Sequence, residues 1–249
     1  MPTIPDFEFK LERLGDTINV CITKEHNFGT DAFLLASFAA PRRKDLCCDL
    51  GTGCGIIPLY WARHFQPRKC YAIEIMPRAI AQLEYSLGIS RLETEIIPLE
   101  QDLKKLDRNA LPIGRFDLVS CNPPYKTGGT GILSESASGR AARHETLCAL
   151  GDVCRAAAGL LRFGGRFCLC QRPERLFGIA EEMRKHSLEP KRLRFVQQRA
   201  AAAPWLFLLE GRKGGKPFLT VEKPLIIEEN SGFSRELLEI YSGKTETGV

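Results

Sequence analysis

The sequence has no run of about eighteen or more apolar residues, so it offers no candidate transmembrane helix. Its opening, Met1-Pro2-Thr3-Ile4-Pro5-Asp6, lacks the charged segment followed by an apolar stretch that marks a secretory leader. A cytoplasmic location is expected. No CxxC pair occurs among the ten cysteines, and the four histidines, His26, His64, His144 and His186, show no metal-ligand spacing. Both absences argue against a structural zinc. Cys47, Cys48, Cys70, Cys121, Cys168 and Cys170 instead lie inside apolar, strand-like runs, where reduced thiols serve as small hydrophobes. Internal repeats are missing, as is any linker that would divide the chain, so residues 1–249 are expected to form one domain with a well-buried core.

What is present is an alternation of strand-like and helix-like segments. Phe7–Leu11 and Ile18–Ile22 alternate around a turn at Gly15-Asp16 and predict a hairpin. Thr30 or Asp31 then stands where an N-cap is needed for the apolar segment Ala32–Ala39. That helix start either is a plain cap or closes over a ligand with its free N–H groups. Leu46–Leu50, Cys70–Ile73, Glu93–Ile97 and Phe116–Cys121 read as successive core strands. Pro77 opens a helix running to about Leu87. Thr146–Leu161 and residues 174–186 read as further helices, with a strand at Arg166–Cys170 between them. Arg192–Val196 and Trp205–Leu209 predict an antiparallel pair at one sheet edge, and Gly211–Lys216 a basic, flexible turn. This order predicts an α/β, doubly wound, mostly parallel sheet. Residues 1–40 would form the hairpin and covering helix, 41–241 the catalytic core and 242–249 a disordered tail.

Asp49-x-Gly51-x-Gly53-x-Gly55 places three glycines where the first core strand turns into a helix, so that backbone can approach a ligand. Glu74, at the end of the next strand, suits the two ribose hydroxyls of an adenosine cofactor, with a solvated strand-end charge as the alternative. These features alone do not separate a dinucleotide from S-adenosylmethionine. The GxGxG spacing and the acidic Asp49 favour the latter, because a carboxylate repels pyrophosphate and attracts an ammonium or sulfonium. Asp102 can accept from the adenine amine or stand as a solvated loop carboxylate.

Asn122-Pro123-Pro124-Tyr125 follows the fourth strand, at the carboxyl end where open α/β sheets bind ligands. The two prolines stiffen an extended backbone. The Asn122 side-chain oxygen and the Pro123 carbonyl can each accept an N–H from a planar amine, and Tyr125 can stack on its ring. Residues 126–140, rich in Gly, Ser and Thr, are a candidate mobile loop over this site.

The charge is uneven. Lys and Arg outnumber Asp and Glu by 14 to 5 in residues 155–216, against 18 to 19 in residues 1–154 and 3 to 6 in residues 217–249. This block of +9 is either a solvated surface or an electrostatic footprint for nucleic acid.

Taken together, these motifs resemble the class I S-adenosylmethionine-dependent methyltransferases that carry NPPY. The chain more narrowly resembles the bacterial tRNA(Val) adenine N6-methyltransferase family. The resemblance covers Glu12–Asp16, Phe28–Ala32 with Leu34–Ala36, Asp49–Gly55, Cys121–Tyr125, Ala142-Arg143-His144-Glu145 and Glu210–Pro217. It departs at Lys126, where relatives often carry an aromatic residue. It implies a seven-stranded sheet with an antiparallel edge pair, S-adenosyl-L-methionine as cofactor and tRNA as partner. It also implies a catalytic set of Asn122, Pro123, Pro124 and Tyr125, and a cofactor set of Thr30, Asp49, Gly51, Gly53, Gly55, Glu74, Asp102 and Asn122. Arg143-His144-Glu145 either caps a helix or faces substrate. A protein glutamine N5-methyltransferase uses the same tetrapeptide, but only about 45 residues precede the first core strand here, too few for a separate helical recognition domain. A silent cofactor- or RNA-binding module is the third reading, disfavoured by the intact Asn122 and Tyr125.

Overall fold

The computed structural model describes residues 4–124 and 150–243. A hairpin of β1 (Lys10–Leu14) and β2 (Ile18–Ile22) opens it. The chain then alternates through α1 (Thr30–Ala39), β3 (Leu46–Leu50), α2 (Ile56–His64), β4 (Lys69–Glu74), α3 (Pro77–Gly88), β5 (Glu95–Glu100) and β6 (Phe116–Cys121). After α4 (Leu150–Leu160) come β7 (Leu161–Gln171), α5 (Leu176–Lys185), β8 (Leu188–Gln197) and β9 (Pro204–Lys213). Four two-residue strands follow, β10 (Thr220–Val221), β11 (Leu225–Ile226), β12 (Glu228–Glu229) and β13 (Gly232–Phe233), and α6 (Arg235–Ser242) ends the described chain. Tyr125, the 126–140 loop, Arg143-His144-Glu145, the first residues of the helix expected from Thr146 and the tail beyond Gly243 lie outside the described residues.

The main sheet has the order β5-β4-β3-β6-β7-β9-β8, with β10 and β11 both added on β8. Pairing is parallel from β5 to β7 and antiparallel on both sides of β9, which gives the expected seven strands and edge pair. Several boundaries move. The hairpin begins at Lys10, not Phe7. The third core strand shifts to Glu95–Glu100 and runs through Pro98, which a sheet edge tolerates because one side of an edge strand needs no N–H donor. Gly211–Lys213 are not a flexible turn; they are the last residues of β9, with Gly211 opposite Pro190 and Lys213 opposite Leu188. Ser242 closes α6 instead of opening a tail.

Both faces of the sheet are covered, so successive strand residues alternate between two cores. Cys47, Cys70, Leu118, Cys168 and Cys170 face one core with Leu34, Leu35, Tyr60 and Trp61; Cys48, Val119, Phe167 and Leu169 face the other with Val153, Leu160 and Ile179. The small thiols on the first face leave room for the bulky residues of α1 and α2. On the same side the backbone of β2 is held by buried polar groups of α3: Ser86 Oγ accepts from Cys21 N at 2.8 Å, and Gln82 Nε2 donates to Cys21 O at 3.0 Å.

The carboxyl end of α1 is clamped. Arg166, where β7 begins its antiparallel pairing with β9, donates to Ala39 O at 2.8 Å and Ala40 O at 3.2 Å. It also meets Glu210 at 3.3 Å, and Glu210 binds Arg192 at 2.8 Å. Arg192 lies 4.3 Å from the Phe38 ring. A buried pair broken by removing one partner leaves an uncompensated charge, a loss of about 3–5 kcal/mol, whereas an exposed pair is worth about 0–1 kcal/mol. Glu210→Gln should therefore lower urea-unfolding stability by several-fold more than Arg235→Ala, which removes the surface pair with Glu239. Equal losses in the two variants would contradict this role for Glu210.

Candidate active site

β3 and β6 are neighbours, but the chain leaves them in opposite directions across the sheet: β3 leads to β4 and β5, and β6 to β7. A cleft opens at such a switch point, outside the carboxyl ends of the strands. The register sets Asp49 opposite Ser120 and Leu50 opposite Cys121, so the glycine turn after β3 stands beside Asn122.

Gly51, Gly53 and Gly55 have φ of 66°, 55° and 82°. These are left-handed conformations that L side chains avoid. A Cβ on Gly51 or Gly53 would meet no atom within 4 Å, whereas one on Gly55 would lie 2.3 Å from Leu83 Cδ1. The first two therefore leave open space over the strand end, and the third lets the turn pack on α3. The Gly51 and Thr52 N–H groups donate to Ile73 O at 2.8 and 3.0 Å.

Asp49 is 1% exposed. Ser120 Oγ donates to its Oδ1 at 2.5 Å and the buried Thr52 hydroxyl stands nearby, while Oδ2 makes no well-formed hydrogen bond among the described residues. Burial pushes the Asp49 carboxyl up to about 7, with the Ser120 and Thr52 hydroxyls opposing in part. A cation placed here would favour the carboxylate and an anion the acid, so the site fits a positively charged ligand.

Glu74 is oriented by three backbone donors: Gly53 N to Oε2 at 3.0 Å, and Ile75 N and Met76 N to Oε1 at 2.9 and 3.1 Å. The sequence suggested a ribose partner; the structure adds that this carboxylate tethers the glycine turn. Its two oxygens offer about four acceptor positions, so a diol can share them with the backbone donors. Asp102 caps a short 3₁₀ turn, Leu103–Lys105, accepting from Lys104 N at 2.9 Å. It stands just beyond the end of β5 and is partly exposed.

Asn122 is held from two sides. Its Nδ2 donates to Asp31 Oδ2 at 3.0 Å, and Cys170 Sγ lies 3.1 Å from its Oδ1. Pro123 is buried and Pro124 exposed, and Gln171 Nε2 donates to Pro124 O at 3.2 Å, joining the ends of β6 and β7. Thr30 and Asp31 do not cap α1. Gly29 is the N-cap residue, with no side-chain cap bond, and both lie in the first turn. Thr30 Oγ1 is 2.9 Å from Tyr241 Oη, on the side of a cavity of about 390 Å³ lined by Glu12, Phe28, Phe33 and Tyr241. The structure thus brings Asp49, the glycine turn, Glu74 and Asn122 to one cleft, and it turns the Thr30 hydroxyl toward α6. Asp31, Ser120, Cys170 and Gln171 were not read as site residues. Their roles depend on partners 47 to 91 residues away, and no local pattern carries that information.

The basic block is largely neutralised. Eight of its side chains, Arg155, Arg162, Arg166, Arg184, Lys185, Arg192, Arg194 and Arg199, are in ion pairs with described carboxylates. At the carboxyl end of β7, next to the tetrapeptide, Arg172 lies 5.3 Å from the Trp205 ring and donates to Trp205 O at 2.9 Å. Arg175 and Phe177 follow, exposed, Phe177 by 88%.

The model of the methyltransferase small domain family matches residues 17–171. A tRNA1(Val) (adenine(37)-N6)-methyltransferase from Porphyromonas gingivalis (strain W83) is 30% identical over 211 residues, 82% of this chain and 78% of that protein. The enzyme of the same name from Pasteurella multocida is 34% identical over 98 residues, and the match spans 39% of this chain and 40% of that protein. Among solved structures, an Agrobacterium tumefaciens protein described as a predicted O-methyltransferase superposes with a TM-score of 0.68 at 23% identity, covering 86% of this chain and 97% of that one.

The Asp49 environment has a consequence for pH. Below about 7 the empty protein holds a proton on Asp49 that a bound cation must displace. S-adenosylmethionine should therefore bind with constant affinity at higher pH and up to about tenfold more weakly per pH unit below it. Asp49→Asn should weaken binding and flatten that profile in calorimetric titrations. Because the folded-state pKa lies above the unfolded value of 3.8, this group costs stability as pH rises from about 4 to 7, and Asp49→Asn should melt higher than the wild type near pH 8. A wild-type affinity that does not change across this window would contradict the assignment.

Proposed function

The chain belongs to the methyltransferase small domain family and is a class I S-adenosylmethionine-dependent methyltransferase, and from that premise we propose that it methylates N6 of an adenine in tRNA, the adenine next to the anticodon of tRNA(Val). The observation that carries the reading is Asn122, held at the switch point beside the glycine turn with its amide NH₂ on Asp31. The cofactor, when bound, supplies an electrophilic methyl group.

The protein's own groups supply the acceptor side. An adenine amine is a poor nucleophile because its lone pair is delocalised into the ring. Acceptance of its two N–H bonds by Asn122 Oδ1 and the Pro123 carbonyl favours the pyramidal nitrogen of the transition state, a stabilisation by fixed dipoles. A carbonyl oxygen has two lone pairs, so the Cys170 contact does not preclude a substrate N–H. Tyr125 would stack on the base. The nitrogen becomes acidic as it is alkylated, so no strong base is needed before attack. Asp49 and Glu74 would hold the cofactor cation and its ribose, and Gly51 and Gly53 leave open space over the strand end. An anticodon-loop adenine reaches such a site without a duplex being opened.

Arg172 and Trp205, which follow on from the Gln171 that holds Pro124, form a ledge that with the exposed Arg175 and Phe177 just beyond in the chain supports an RNA substrate, since together they offer cations and an exposed ring. Exposed aromatics stack on unpaired bases at about 1–3 kcal/mol each.

The purified protein, incubated with labelled S-adenosylmethionine and tRNA lacking its modifications, should yield N6-methyladenosine beside the anticodon; label confined to protein or DNA would exclude the reading. Asn122→Ala should lower turnover by about 100-fold or more while cofactor affinity changes little. Phe177→Ala and Arg175→Ala should raise KM for tRNA, and the latter should reduce the salt dependence of binding by about one unit of slope. Unchanged tRNA affinity in both variants would remove the ledge from the substrate path.

A further inference from the structure

We propose that Asp31 is a positioning residue for the acceptor amine that acts through Asn122, fixing which end of the Asn122 amide faces the substrate. The inference rests on the reading of Asn122 as the group that accepts the amine N–H.

A side-chain amide is nearly symmetric in shape but opposite in function at its two ends: the oxygen accepts and the NH₂ donates. Presented the wrong way round, Asn122 would point its own donors at the donors of an adenine amine. A carboxylate only accepts hydrogen bonds. Asp31 Oδ2, 3.0 Å from Asn122 Nδ2, can therefore take the NH₂ end and no other. The Cys170 thiol, 3.1 Å from Oδ1, selects the same orientation from the opposite side, as the weaker donor of the two partners.

The surroundings keep Asp31 in place. Its other oxygen lies over Gly29, where a Cβ would come within 2.7 Å of Oδ1. Gly29 has φ −112° and ψ 179°, an extended conformation open to any residue, so a larger residue there would displace the carboxylate without straining the backbone. The Thr30 hydroxyl is fixed by Tyr241, and the far end of α1 is fixed by Arg166. Asp31 is thus carried on a rigid helix anchored at both ends. From the first turn of α1 its side chain is directed across the cleft, to a residue 91 positions away.

The decisive variant is Asp31→Asn, which keeps the shape but can donate as well as accept, and so no longer enforces one orientation. It should lower kcat for tRNA methylation by about tenfold or more, with KM for tRNA, the dissociation constant for S-adenosylmethionine and the melting temperature all within about twofold or a degree or two of wild type. Gly29→Ala, which displaces the carboxylate without altering it, should reproduce the kcat loss. The reciprocal pair Asp31→Asn with Asn122→Asp restores one donor facing one acceptor and should be more active than either single variant. Wild-type kcat in Asp31→Asn, a loss explained by weaker cofactor binding, or a double variant showing the product of the two single losses would each overturn the inference. If the wild-type protein transfers no methyl group to tRNA adenine, the reading of Asn122 fails and this inference fails with it.

Discussion

The parallel pairing of β3 with β6 is the constraint on which the rest of the molecule depends. It puts Asp49 level with Ser120 and leaves the glycine turn and Asn122 side by side. Because the chain departs from these two strands toward opposite edges, no crossover among the described residues covers their carboxyl ends. A cleft is then a consequence of topology. The residues in it need only be polar where the strands stop, and the apolar runs Leu46–Leu50 and Phe116–Cys121 end in Gly51 and Asn122.

Charge is handled differently at the two ends of α1. At its carboxyl end, cations and carboxylates are matched: Arg166 and Arg192 share Glu210, and the helix's last carbonyls are satisfied by Arg166. At its amino end lies the cleft, where Asp49 is buried with one oxygen that makes no well-formed hydrogen bond among the described residues. Such a group destabilises the empty protein and is compensated by a cationic ligand, the usual relation between a strained site and its function. α1 joins the two regions: an anchored helix carries Asp31 to Asn122, and the hairpin docked on α3 precedes it.

Much of this fold is legible in the residues themselves. Phe116–Cys121 is read to its ends because an apolar run is bounded by a glycine-containing loop and a double proline. The glycine turn is legible because three left-handed residues in five leave little alternative to glycine. Other parts are not. Pro98 hides the end of β5, since a proline reads as a break until the strand is known to lie at an edge. α6 is only eight residues long, yet Ser234, whose side chain accepts from Leu237 N, and the left-handed Gly243 bracket it with ordinary cap signals that were available. The +9 block reads as a nucleic-acid footprint by counting, but eight of its cations are spent on carboxylates, several of them distant in sequence. The pairing of Asp31 with Asn122 spans 91 residues and becomes visible only when α1 is laid across the strand ends.

The central claim is that Asn122 presents an acceptor oxygen to a planar amine beside the cofactor cleft. It is tested most directly by a crystal structure of the protein with S-adenosylhomocysteine and an anticodon stem-loop of tRNA(Val). The account predicts the target adenine splayed into the cleft, with N6 about 2.7–3.2 Å from both Asn122 Oδ1 and the Pro123 carbonyl. An adenine bound with N6 directed away from Asn122, or an Asn122 amide turned with its NH₂ toward the base, would contradict it.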